Sequence, residues 1–234
     1  MTKLVLLPGM DGTGMLFDGL IQALGPAQET QVIAYPADTP MGYDALESLV
    51  RRQLPDDAPF FLLAESFSGP IGIAIAADPP PNLKGLILCC TFAGSPLPAL
   101  DWMGTGVVET LFRVTPEVVI GEILMGGFST PTLRADLKRT LAAVKPRVLA
   151  HRATSALAVD RSAALARITL PVLDLRASHD RVVPSAAGHV IKACLPHTRV
   201  RTIHAPHFLL QARPADAARA IQDFMATALS ADGR

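Results

Sequence analysis

The chain lacks any excess of charge: 21 Lys and Arg stand against 21 Asp and Glu in 234 residues. With no basic patch and no run of like charges, nucleic acid is not an expected partner. Aromatic residues are scarce, and Ala, Leu, Val and Pro carry the composition. Cysteine is nearly absent. Cys89 and Cys90 are chain neighbours, which rarely bond each other, and Cys194 stands alone, so no disulfide framework is expected. None has a Cys-x-x-Cys partner, so no metal is expected; Cys89 and Cys90 close the apolar run Leu86-Ile87-Leu88 and read as buried thiols. Long hydrophobic runs are missing too. Gly and Pro break each one well short of a bilayer span, so no membrane contact is expected. The first run, Leu4-Val5-Leu6-Leu7, stops at Pro8-Gly9, too short for a secretory signal. A first core strand and a cytoplasmic location are the expectation.

What is present is apolar material in short pieces. Half the residues are hydrophobic, enough for a large core in one α/β domain with an inserted part. Strand-like runs recur at 4–7, 31–35, 60–64, 83–90, 172–176 and 199–204. Most are nearly continuous in apolar residues, as in parallel strands covered on both faces. Helical patterns lie between them at 15–24, 43–54, 67–77, 185–194 and 214–229, the last opening on Pro214 as a helix first turn does. Such alternation predicts an α/β fold with a doubly wound, mostly parallel sheet. Residues 94–167 break the alternation. Helical patterns follow one another there: Val107, Val108, Leu111 and Phe112; Val118, Val119, Ile123 and Leu124, stopped by Gly126-Gly127; Leu133, Leu137 and Leu141, ended near Pro146; then one or two more over 148–165. An ordinary crossover needs one helix. The organisation expected is therefore a core of 1–93 and 168–234 with a helical cap at 94–167, the alternative being ordinary helices on one flank.

The chemistry-bearing stretch is Phe60-Phe61-Leu62-Leu63-Ala64-Glu65-Ser66-Phe67-Ser68-Gly69-Pro70-Ile71-Gly72. An apolar strand ends at a serine amid small residues and a buried helix follows. A sharp strand-to-helix turn of this kind strains the serine backbone and lifts its Oγ above the sheet. A serine there can also be a plain N-cap. The turn demands small residues two before and two after the serine, here Ala64 and Ser68. Three other features fall after successive strands. Pro8-Gly9-Met10-Asp11-Gly12-Thr13-Gly14 follows the first strand and exposes backbone N–H groups. It matches neither phosphate-loop pattern, so an oxyanion site is preferred to a phosphate cradle, with a bare turn as the plain alternative. Asp180, in Ser178-His179-Asp180-Arg181-Val182-Val183-Pro184, follows the fifth strand, where a turn or capping Asp is the plain alternative. His207 follows the sixth, with His204 its competitor three residues away. A serine hydroxyl needs an adjacent base, and imidazole titrates in the right range. The imidazole in turn needs a carboxylate to hold its tautomer.

These motifs resemble the α/β-hydrolase family over nearly the whole chain, from Pro8-Gly9-Met10 to His207-Phe208 and the final helix. The resemblance implies Ser66 as nucleophile, His207 as base and Asp180 as orienting acid, with the Met10 and Phe67 N–H groups as oxyanion donors. It also implies that His207, followed by Pro214, is preferred to His204. Two features depart from the family pattern: Ala64 and Ser68 replace the elbow glycines, and Pro8 stands where a histidine is usual. The chain starts at what is normally the third strand, implying a sheet trimmed to about six strands. Its edges are open to a partner chain, so a homodimer is an expectation. If the cap covers the site, Trp102, Met103, Val107, Leu111 and Leu124 line an apolar acyl pocket; otherwise they are cap core. Glu65 reads as a supporting or surface residue, and His179 as solvated. The function expected is hydrolysis of carboxylic esters, thioesters included, of small or medium acyl groups, without a cofactor. An acyltransferase using the same three residues and a non-catalytic ligand-binding protein remain as alternatives. Halide displacement is disfavoured, because in this fold it uses a carboxylate where Ser66 stands.

Overall fold

A computed structural model describes residues 2–100, 107–108, 110 and 115–232. Six strands form one sheet in the order β2-β1-β3-β4-β5-β6: β1 (Lys3–Leu7), β2 (Thr30–Val32), β3 (Phe60–Glu65), β4 (Leu83–Cys89), β5 (Val172–His179) and β6 (Arg199–Pro206). Every neighbouring pair is parallel. The expected α/β-hydrolase sheet is therefore present.

Apolar runs persist along these strands because both faces are covered. Successive side chains point to opposite sides. Leu62, Leu86 and Val172 pack on one face with Leu46 and Val50 of α2 (Tyr43–Arg51), Ile71 and Ile75 of α3 (Gly69–Ala77) and Ile191 of a later helix. Leu4, Phe61, Leu63 and Leu173 pack on the other with Leu20 and Leu24 of α1 (Asp18–Leu24) and with Ile221 and Phe224 near the carboxyl end. α2 is amphipathic, with Tyr43, Leu46 and Val50 inward and a Glu47–Arg51 pair, 2.9 Å apart, one turn apart on its outer side. α3 is covered all round and has no polar face, which is the pattern of a buried helix.

Between β4 and β5 come α4 (Glu117–Met125), α5 (Pro131–Ala142), α6 (Pro146–Ala158) and α7 (Ser162–Leu165). Met125 of α4 and Leu137 of α5 bury themselves with Phe208, the residue after His207. These helices thus lie over the carboxyl end of the sheet. Ala164 and Leu165 of α7 join the first of the two core faces. The remaining helices are α8 (Ser185–Cys194), α9 (Leu209–Ala212) and α10 (Pro214–Asp232).

Several boundaries differ from the sequence expectation. The second strand is Thr30–Val32 rather than 31–35, because the Tyr35 N–H leaves the sheet for the Gly12 carbonyl at 2.7 Å. β5 and β6 run on to His179 and Pro206, pairing past an irregularity after Ala177. The helices expected at 15–24 and 67–77 each open with a 3-10 turn, Met15–Phe17 and Ser66–Ser68. The helix expected at 43–54 ends at Arg51, and the one expected to end at 229 reaches Asp232. Val118, Val119 and Ile123 do not form a buried stripe; they are 78 %, 45 % and 45 % exposed. No helix among the described residues is long and apolar enough to cross a membrane.

Candidate active site

β3 delivers Ser66 at its carboxyl end, where the backbone turns abruptly. Ser66 has φ 49°, and Cys90, at the end of the adjacent β4, has φ 48°; they are the two non-glycine residues of positive φ among those described. Such a backbone costs on the order of 1–3 kcal/mol and persists where the surroundings over-determine it. Here the Thr91 hydroxyl donates to the Ser66 carbonyl. The Tyr43 hydroxyl donates to the Phe67 carbonyl at 3.1 Å, and the two rings stack 4.7 Å apart. The small residues expected around the serine serve different ends. Ala64 makes room for α3: a Cβ at Gly72 would come within 2.8 Å of the Ala64 Cβ. Ser68 is fully buried, and its hydroxyl donates to the Pro8 carbonyl while accepting from the Tyr35 hydroxyl at 2.5 Å. Burial raises the Tyr35 pKa, keeping that hydroxyl a donor.

Ser66 Oγ lies 2.9 Å from His207 Nε2. On the other side of the ring, Nδ1 is 3.0 Å and 2.8 Å from the two Asp180 oxygens. This network assigns the Nδ1–H to the carboxylate and leaves Nε2 to accept the serine proton. Asp180 is fixed from behind: its Oδ1 accepts the Val182 and Val183 N–H groups, each at 2.8 Å. The hydroxyl, imidazole and carboxylate come from the ends of β3, β6 and β5, on one edge of the sheet. His204 lies within β6, exposed, with its ring against His179 at 4.6 Å and Phe128 at 5.2 Å. It does not join this group.

The turn after β1 closes with Gly12 N–H donating to the Gly9 carbonyl at 3.0 Å, which leaves the corner N–H groups of Met10 and Asp11 unused by the turn. The Phe67 N–H stands at the start of a helix, where backbone donors lack intrahelical partners. Donors in such positions can serve an oxyanion on Ser66. Of the expected pocket residues, Trp102, Met103 and Leu111 lie outside the described residues. Val107 is 52 % exposed. Leu124 sits beside the site, its carbonyl accepting the Phe208 N–H at 3.2 Å.

Donor atoms of Cys90, Asp180 and His207 lie within 4.8 Å of one another. His207 Nδ1 and Asp180 are already engaged with each other, which leaves the trio poorly suited to a metal. Cys89 and Cys90 are buried free thiols, and Cys194 is free and exposed.

Glu65 is buried, not at the surface. It lies beneath the turn, accepting from Gln211 Nε2 at 3.0 Å and from the Gly9 N–H. Burial pushes its pKa up to about 7, and the nearby Asp11 adds to the rise against the opposing pull of Gln211, His207 and Gly9. The folded state therefore holds this proton more tightly than the unfolded chain. The stabilisation is complete below pH about 4.5 and is lost as pH rises to about 7, a span worth at most about 3 kcal/mol. Glu65→Gln is expected to remove that decline. Urea midpoints of variant and native protein, compared from pH 4.5 to pH 8, check it; parallel curves would overturn it.

The sequence reading missed the supports. Tyr35 and Tyr43 are the chain's two tyrosines, and both hydroxyls go to the elbow. Their rarity was the available signal. Thr91 and Gln211 carried none, since each is an unremarked polar residue within an ordinary helix or loop pattern.

The profile of the family described as "Serine aminopeptidase, S33" (Hydrolase_4) matches residues 41–209. No curated protein matches the chain. Among solved structures, MenH from S. aureus superposes with a TM-score of 0.81 at 14 % identity, covering 97 % of this chain and 94 % of that one. A bromoperoxidase from Bacillus anthracis follows at 0.80, 17 % identity, 97 % and 92 %. The esterase EaEST from Exiguobacterium antarcticum gives 0.79, 17 % identity, 96 % and 91 %. At these identities the structural likeness speaks for the fold.

Proposed function

Because the chain belongs to the Serine aminopeptidase, S33 family of α/β-hydrolase-fold hydrolases, we propose that it cleaves carboxylic esters, thioesters among them, of small or medium acyl groups through an acyl-enzyme on Ser66. The observation that carries this reading is the 2.9 Å approach of Ser66 Oγ to His207 Nε2, with Asp180 bonded behind the ring. The Oγ attacks the acyl carbon while its proton passes to Nε2. Asp180 stabilises the imidazolium that forms. The N–H groups of Met10 and Phe67 receive the charge that develops on the carbonyl oxygen. The C–O bond to the leaving alcohol breaks, and the alcohol departs with the proton from Nε2. Water then adds to the acyl carbon, giving one proton to Nε2. That proton returns to Ser66 Oγ as the acid leaves.

A fluorophosphonate probe tests the nucleophile directly. Peptide mapping is expected to find the adduct on Ser66, with p-nitrophenyl acetate hydrolysis lost in proportion to labelling. An adduct on Cys194, or none at all, would overturn the proposal.

A further inference from the structure

Arg152 lies on α6 with no part of its side chain exposed. Its guanidinium donates to three backbone carbonyls: Nη1 to Met10 at 3.0 Å and Asp11 at 2.6 Å, and Nη2 to Pro36 at 2.8 Å. The neighbouring Asp11 carboxylate is engaged elsewhere, accepting the Thr13 N–H at 2.8 Å and the Thr13 hydroxyl at 2.6 Å. Arg152 Nε has no partner among the described residues. The cation is thus held by carbonyl dipoles and by the Tyr35 ring, 5.6 Å from its centre, rather than by a bonded counter-ion. Burial lowers its pKa. The chain makes room for it. Gly12 has φ +72°, and a Cβ there would overlap Nη1 and lie 2.8 Å from the guanidinium carbon. A charge removed from water is costly to keep, and this one ends on the turn that carries the Met10 N–H.

We propose that Arg152 is a positioning residue for the oxyanion turn, fixing the Met10 and Asp11 carbonyls so that the Met10 N–H faces the oxygen above Ser66, and thereby coupling α6 to the reacting centre. The inference rests on the reading of Ser66 as the acylated nucleophile. Its signature is a loss confined to the tetrahedral state, where the oxyanion exists, with little effect on ground-state binding.

The test compares native protein with Arg152→Met, Arg152→Gln and Arg152→Lys. It measures kcat and KM for p-nitrophenyl acetate, and inhibition by phenylboronic acid, which forms a tetrahedral adduct with a reactive serine. Arg152→Met is expected to lower kcat roughly 10- to 100-fold, less than loss of a direct donor. KM should stay within about 3-fold, and boronate affinity should fall by the same factor as kcat. Arg152→Gln should lose as much, since its amide cannot reach three carbonyls. Arg152→Lys keeps the charge and loses the fork, so it should fall between. Unchanged kcat in the folded Met or Gln variant overturns the inference. So does a loss that tracks the melting temperature, or one shared equally by KM. An active native protein, labelled at Ser66, beside an unimpaired Arg152→Met would refute this inference alone. A native protein that is neither active nor labelled would refute the hydrolase reading and this inference with it.

Discussion

Replacing Ser66 with alanine is expected to lower kcat for p-nitrophenyl acetate by about 10⁴-fold or more, with the fold intact. The side chain is partly exposed and makes one side-chain hydrogen bond, to His207. Its removal should cost about 1 kcal/mol or less of stability. Ser66→Gly separates the chemistry from the strain. The backbone at φ 49° suits glycine far better than serine or alanine, so the glycine variant is expected to be as dead as alanine and more stable, by about 1 kcal/mol. Urea unfolding of the two variants beside an ester assay checks both halves. Substantial hydrolysis by either variant would remove Ser66 from the mechanism. A glycine variant less stable than the alanine one would show that the backbone there is unstrained.

His207→Ala should cost about as much in kcat as loss of the serine, and the Ser66→Ala/His207→Ala double variant should be no worse than either alone, since the two side chains act as one unit. Stability should fall by about 1–3 kcal/mol, because the mostly buried Asp180 carboxylate loses its bond to the ring and keeps only those from the Val182 and Val183 N–H groups. His204→Ala is the contrast. Its ring touches His179 and Phe128 at the surface, and the bond it makes to Arg213 uses its backbone carbonyl, which alanine keeps. Its kcat should stay within about 3-fold of native. Assays of the three variants under one set of conditions decide the matter. If His204→Ala were the inactive variant, the assignment of the base would be wrong.

The layers of the fold and the grouping of Ser66, Asp180 and His207 are legible in the sequence because each leaves a local trace. Leu62, Leu86 and Val172 sit in nearly continuous apolar runs since a parallel sheet is covered on both sides, and Ser66 stands where such a run stops among small residues. Asp180 and His207 are marked by their places after the fifth and sixth strands. The supports leave no comparable trace. Arg152 lies in the helical pattern over 148–165 with nothing in the sequence to set it apart, and only the fold brings it against the turn after β1. Glu65 reads as a supporting or surface residue, and the first alternative holds: it ends β3 buried and bonded to Gln211. The second strand is shorter than its apolar run because, past the Ile33 N–H bond to the Leu6 carbonyl, the chain leaves β1 and Tyr35 turns aside to the elbow.

Ser66 and His207 lie 141 residues apart in the chain, and Asp180 falls between them, 27 residues before His207. A ribosome-bound chain can form β1 and β3 and fold the corner bearing Ser66, yet it has no imidazole beside that hydroxyl until the sixth strand has been made. On the proposed reading of Ser66 as nucleophile, the nascent chain stays chemically silent through most of its synthesis, and the pair is completed in one step, when the last strand docks.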